Sequence, residues 1–333
     1  MATSHLQVPQ STSDPVGLHR LSFKKLPYMW VAIILFVILA TLNTIAEPNL
    51  WSIAVLGGTV ASAAPLVLVA LAETPAILMG NGSLDISVGP LMSVVNVVVI
   101  LLIGRNFSSP WDVVGVALLI GLASGLLNGV FVGWLRIQPI VVTFATYTIY
   151  SGLATHLLPQ PGGSIPTWLS NWTGSIGPVP TSLIVILAAA ALWVSLSKTR
   201  FVRGIYAIGG DERASYVSGV PIVAVRIMAF MFTGLLTSVA ALMLTAEIAS
   251  GDGNIGTPFT LMAITAVALG GTSLLGGRGG ILGSIIGAFD VFFINNVITV
   301  SHLSVYWQDV AYGTILMAAI VINAVTSRTR RAV

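Results

Sequence analysis

Ten stretches of this chain are too apolar and too long for the surface of a water-soluble fold. They run over roughly residues 28–46, 53–79, 87–104, 113–133, 139–158, 181–197, 226–246, 259–275, 280–300 and 309–325. About 20 largely apolar residues suffice to span a bilayer as a helix, so each stretch predicts one crossing. Charge agrees with this. Of the 333 residues only 8% are charged and 56% are hydrophobic, where soluble domains carry roughly 25% charged residues. The expected fold is an all-α polytopic membrane protein of about ten transmembrane helices. Two interruptions, at 80–86 and 276–280, are short. Each is either a tight cytoplasmic turn or a broken, re-entrant segment, so one or two helices are expected to be discontinuous. Residues 1–27 are polar, with Pro9, Pro15 and Pro27 and no small-residue cleavage site, and read as a disordered cytoplasmic tail before a retained first helix. Residues 28–326 then form a single transmembrane domain, and 327–333 a basic cytoplasmic tail.

The basic residues orient the chain. With the N-terminus inside and ten crossings, Arg20, Lys24, Lys25, Arg136, Lys198, Arg200, Arg203, Arg213, Arg226, Arg278, Arg328, Arg330 and Arg331 are cytoplasmic. Only Arg105 falls outside. Thirteen of fourteen on one side satisfies the positive-inside rule, and removing one middle crossing destroys the bias. Both termini are therefore expected in the cytoplasm.

Two loops stand apart. The external one, 159–181, holds five prolines together with Trp168 and Trp172. It reads as an interfacial lid or as a docking surface for an external protein. The cytoplasmic one, 198–226, contains GGDERASYVSGVP. Asp211 can cap a helix start, Glu212 suits the positive end of the helix dipole, Gly219 can take the left-handed stop position, and Pro221 forbids continuation. A short helix from about Glu212 to Ser218 is predicted. It is too short to stand alone, so neighbouring spans or a partner protein must hold it.

The chain offers little to catalysis. It has no cysteine, no GxxxxGK[ST] loop for ATP, no HExxH, no GxSxG, and no paired carboxylates in an apolar pocket. Glu73 reads as a residue at the cytoplasmic membrane boundary. Asp290 lies mid-span, where a carboxylate is a functional candidate; the alternative is a proton or a polar neighbour, with Asn295 and Asn296 nearby in sequence. Ser87, Asn96, Asn128, Thr143, Thr146 and Asn295 are uncharged polar groups suited to a neutral solute, or else ordinary interhelical hydrogen-bond formers.

Four segments, in order, resemble sugar-type ABC importer permeases, the group that contains the ribose permease. These are GNGSLDISVG (80–89), NGVFVGWLRIQPIVVTFAT (128–146), YAIGGDERASYVSGV (206–220) and AITAVALGGTSLLGGRGGILGSIIGA (263–288). The first departs from the family's pattern by having Gly80-Asn81-Gly82-Ser83 where two glycines stand, while keeping Asp85, Ser87 and Gly89; Asp290 has no family counterpart. The resemblance implies a permease subunit of a bacterial importer in the inner (plasma) membrane. It implies a second permease copy, as homodimer or heterodimer, an external or periplasmic solute-binding protein, and a cytoplasmic ABC ATPase. ATP and magnesium belong to that ATPase and no cofactor to this chain, which is not an enzyme; no nucleic acid is involved. The coupling helix of the family maps to Gly210, Asp211, Glu212, Ala214, Ser218 and Gly219. The solute pathway maps to segments carrying Asp85, Ser87, Gly89, Asn96, Asn128, Thr143 and Thr146, with Asp290, Asn295 and Asn296 on the ninth span. The solute is expected to be a sugar or similar polar molecule. Alternatives are a permease for a nucleoside, a furanose-like autoinducer or a branched-chain amino acid, and a proton-coupled secondary transporter built on Asp290.

Overall fold

In the computed structural model, residues 29–107, 109–302, 304 and 306–331 are described; the tail expected at 1–27 lies outside them. The order of elements is α1 (Trp30–Ala46), α2 (Ile53–Leu78), α3 (Val88–Gly104), α4 (Pro110–Gly133), α5 (Pro139–Leu157), α6 (Thr167–Ser170), β1 (Ser175–Ile176), β2 (Val179–Pro180), α7 (Thr181–Leu196), α8 (Arg200–Gly210), α9 (Glu212–Val217), α10 (Ile222–Ile248), α11 (Phe259–Leu269), α12 (Ile281–Val300) and α13 (Tyr306–Arg331). Every one of the ten apolar runs is helical. Among the described residues, five helices are long and apolar enough to cross a membrane, and six if the bent pair α7–α8 is one span. The chain is thus an all-α, multi-pass membrane protein. The two-residue strands pair Ser175 with Pro180 and Ile176 with Val179, a small hairpin in the 159–181 loop.

Local chemistry sets the helix ends. Pro110 and Pro139 begin α4 and α5, positions where a fixed φ and a missing N–H are harmless. The run expected at 259–275 is helical only to Leu269, because Gly270 ends α11 and Gly271 turns left-handed with φ +82°. At about 1.5 Å per residue, an 11-residue helix reaches only about half of a bilayer core. The stretch 198–226 contains more than the one expected short helix. Val202, Ile205 and Ile208 are buried at helical spacing, so the Arg-rich segment folds as α8, bent 80° away from α7.

At the centre, α10 packs against α2 on one side and α4 on the other. Gly121, Gly125 and Gly129 form one stripe on α4, and each faces backbone or side chain of α10 at Gly234, Phe230 and Ile227. Small residues let apolar helices approach at backbone distance, where dispersion replaces the hydrophobic drive that lipid removes.

The connections segregate to two ends. At one end the breaks 79–87 and 270–280 meet the end of α8. The Gly277 amide donates to the Leu78 carbonyl at 2.9 Å, and Gly276 lies against the backbones of Gly80 and Gly209. At the other end Gly162 and Gly251 exchange two backbone bonds of 2.9 and 2.8 Å, joining the 159–181 loop to the α10–α11 connection. Ser62 donates to Glu247 at 2.5 Å nearby.

A side chain at Gly209 would collide with the Leu78 carbonyl and the Gly277 backbone, whereas Gly210 has open space around it. In an ordinary helix Gly→Ala stabilises by up to about 1 kcal/mol. Gly209→Ala should instead destabilise by about 1–3 kcal/mol, the usual range for overpacking, and Gly210→Ala should be neutral or stabilising. Thermal unfolding of the two purified variants in mild detergent measures the contrast.

Candidate functional site

The short helix α9 forms where the sequence places it. The Asp211 Oδ1 accepts the Ala214 amide at 3.0 Å, closing the cap. Gly219, at φ +78°, ends the turn as a left-handed residue should. Ala214 amide and carbonyl both serve the helix, the carbonyl taking the Ser218 amide at 3.0 Å. Gly210 and Asp211 bring the chain out of α8 with an extended backbone at Asp211. Of its side chains, Ser215 turns inward, while Tyr216 and Val217 are 71% and 86% exposed. The six-residue helix thus presents two large side chains outward. They border an open cavity of about 1580 Å³ that is also lined by Asn81, Arg136, Arg226 and Leu275.

Beneath that cavity lies the break between α2 and α3. Gly80, Asn81 and Gly82 have φ of +69°, +53° and +71°, so the chain turns sharply before Asp85. From there the segment, backbone and side chains together, is held by side chains of four helices. Glu73 on α2 accepts the Asp85 amide at 2.8 Å. Asn128 on α4 donates to the Ser87 hydroxyl at 3.0 Å and to Asp85 Oδ2 at 3.4 Å. Thr143 on α5 donates to the Leu84 carbonyl at 3.1 Å, and Thr260 on α11 to the Ile86 carbonyl at 3.1 Å. Ser87 donates to Asp85 Oδ1 at 2.5 Å. Glu73, Asp85, Ser87, Asn128 and Thr143 are all buried. Glu73 is fully buried within the protein, and a pair of carboxylates does share its interior. The chain's return after the sharp turn puts Asp85 beside a glutamate twelve residues earlier. One oxygen of Glu73 and the Asn128 carbonyl oxygen have no partner.

The other sequence candidates fall in two places. Gly89, Ser93 and Asn96 occupy one stripe of α3 and receive the α10–α11 connection. The Thr260 hydroxyl accepts the Gly89 amide, Ser93 accepts the Gly256 amide, and Asn96 both donates to the Ser250 carbonyl and accepts the Asp252 amide, at 2.9–3.1 Å. Asn96 also donates to Thr245 at 2.9 Å. Thr146 donates to carbonyls of its own helix. Asp290 is fully buried with neither carboxylate oxygen bonded. Asn295 and Asn296 do not help it: Asn295 accepts from Tyr312 of α13, and Asn296 donates to Asn43 of α1 at 2.8 Å. The structure thus gathers Asp85, Ser87, Asn128 and Thr143 at one site, with Gly89 at its edge through Thr260, and sends Asn96, Asp290, Asn295 and Asn296 elsewhere. Glu73, Asn81 and Thr260 belong to the site and were missed. Glu73 carried a signal, as a carboxylate inside an apolar run, and so did Asn81, in the stretch that departs from the family's pattern; Thr260 carried none.

Residues 55–321 match the family described as branched-chain amino acid transport system / permease component. The chain is 31% identical over 302 residues to the autoinducer 2 import system permease protein LsrC of Escherichia coli (strain K12 / DH10B), covering 88% of this chain and 85% of the relative. It is 32% identical over 303 residues to the ribose import permease protein RbsC of Escherichia coli (strain K12), covering 87% and 92%. To the ribose import permease protein RbsC of Haemophilus influenzae it is 29% identical over 297 residues, covering 86% and 90%. No solved structure matches.

Removing the Asn128 amide leaves Oδ2 of the buried Asp85 carboxylate without its donor, while Oδ1 keeps the Ser87 amide and hydroxyl. Bonds to charged groups contribute about 1.5–3 kcal/mol, so Asn128→Leu should lower the stability of the detergent-solubilised protein by about 2 kcal/mol. Thr146→Val loses only bonds within its own helix and should change it by about 0.5 kcal/mol, typical of membrane hydrogen bonds. Chemical unfolding of both variants side by side supplies the comparison.

Proposed function

This chain belongs to the branched-chain amino acid transport system permease component family and is the permease subunit of a sugar-type ABC importer, and from that premise we propose how it is threaded, powered and loaded. The chain crosses the inner membrane ten times with both termini in the cytoplasm. The gathering of 79–87, 134–138, 197–221 and 270–280 at one end, around the cavity below α9, supports that alternation. So does the placement of the 159–181 hairpin and the α10–α11 connection at the other. Two copies enclose the pathway. A cytoplasmic ATPase, which carries ATP and magnesium, receives α9 in a cleft. A solute-binding protein docks on the external 159–181 loop.

The single observation that carries the reading is α9 itself. A capped helix with Tyr216 and Val217 exposed and its carboxylate bonded to the broken segment at 2.6 Å is a transmitting part that lacks its driver. The solute is a neutral polyol of pentose size. In its favour stand the hydroxyl and amide groups of Ser87, Asn128 and Thr143 at the break and the absence of any basic residue among the groups bonded there. The relatives named for ribose and autoinducer 2 point the same way. Motion of α9 shifts the break, and the polar groups there pass from one accessible side to the other. Asp290 takes no part in this scheme.

The tagged chain, purified from its native host in mild detergent, should bring down an ABC ATPase, and proteoliposomes of that complex with its binding protein should take up ribose only with ATP inside. Ribose uptake driven by a pH gradient without ATP would defeat the proposal. Val217→Asp should remove the ATPase while leaving membrane insertion unchanged.

A further inference from the structure

Glu212 is the first residue of α9, and one of its oxygens, Oε2, accepts two bonds at once. The Asn81 amide donates to it at 2.6 Å and the Arg226 guanidinium at 2.7 Å. These donors come from places far apart in the chain: Asn81 from the α2–α3 break, Arg226 from the start of α10. One atom therefore ties the docking helix to the broken segment and to the central helix. Asn81 is well suited to this position. Its φ of +53° is left-handed, which asparagine tolerates better than other side-chain-bearing residues. The sharp turn that results aims its amide out of the break towards α9.

The contact sits on a junction without slack. Gly276 lies against the backbones of Gly80 and Gly209, and the Gly277 amide bonds the Leu78 carbonyl at 2.9 Å. Backbones in direct contact cannot be compressed, and positive φ at Gly80 and Gly276 prevents an ordinary side chain from replacing them without strain. As an ion pair, Glu212–Arg226 is partly exposed, at 32% and 14%, and such pairs add little to stability, about 0–1 kcal/mol. Its geometry is what has consequences.

We propose that Asn81 and Glu212 are positioning residues that make the broken segment and the docking helix move as one body, so that displacement of α9 by the ATPase reaches the residues around Asp85 undiminished. This rests on the reading of α9 as the ATPase contact. The Asn81 amide is the part that bridges the two, and Arg226 fixes the carboxylate it reaches.

The test uses the full complex in proteoliposomes and measures ribose moved per ATP hydrolysed. N81D sets a second carboxylate against Glu212, and that ratio should fall at least tenfold while the ATPase stays bound on gel filtration. N81A, which only deletes the contact, should lower it about three- to fivefold. E212Q placed on N81D restores a donor–acceptor pair with the roles reversed and should return the ratio to within twofold of the unaltered complex. A ratio unchanged in N81D or N81A, or no recovery in N81D/E212Q, overturns the proposal. Failure of the underlying reading looks different, because the unaltered chain then binds no ATPase at all.

Discussion

A helix that stops between apolar neighbours exposes amides and carbonyls where no water can reach them, and each must find a partner within the protein. Much of this structure follows from that demand. The α2–α3 break is held by Glu73, Asn128, Thr143 and Thr260, which come from four different helices. The extended α10–α11 connection is held by Ser93 and Asn96, one turn apart on α3. Several polar side chains of the interior, Glu73, Ser93, Asn96, Thr143 and Thr260 among them, are thereby committed to backbone. This explains how 56% hydrophobic composition coexists with so many buried serines, threonines and asparagines.

The same arrangement relates architecture to mechanism. Regular helices α4 and α10 meet along a glycine stripe and form a stiff frame. The interrupted segments sit beside it, gripped by side chains from several directions; they touch the end of α8 through glycine backbone and α9 through the Asn81–Glu212 bond. Between α9 and the break lies only one side-chain bond, Asn81 to Glu212, beside directly touching glycine backbones. A permease has no chemistry of its own, so its working parts are distances and stiffness rather than reactive groups.

Much of this was legible in the sequence, and the limits have physical causes. That the ten apolar runs carry helices, and that the chain is all-α and multi-pass, follows from run length and composition. The cap at Asp211 and the stop at Gly219 are local chemistry, so α9 could be placed within a residue. The candidates Asp85, Ser87, Asn128 and Thr143 came from uncharged polarity together with family resemblance, and they do meet. Asn295 and Asn296 illustrate what spacing alone mistakes. At 3.6 residues per turn, five or six residues beyond Asp290 is roughly 140° or 240° around the helix, so neither can face it. Segment α8 was hidden by arginines that obscure the spacing of Val202, Ile205 and Ile208. Glu73 needed the fold itself, since only the curl of the break delivers the Asp85 amide to it.

The glycine junction also bears on how solute preference can change over generations. Gly276 at φ +91°, pressed against Gly80 and Gly209, admits almost no single replacement. Ser87, Asn128 and Thr143 sit on ordinary backbone, so a replacement there costs hydrogen bonds rather than backbone strain. Diversity in what is carried therefore has to accumulate on the helix faces, while the hinge stays frozen. A library built to redirect this importer should randomise the former and leave the latter alone.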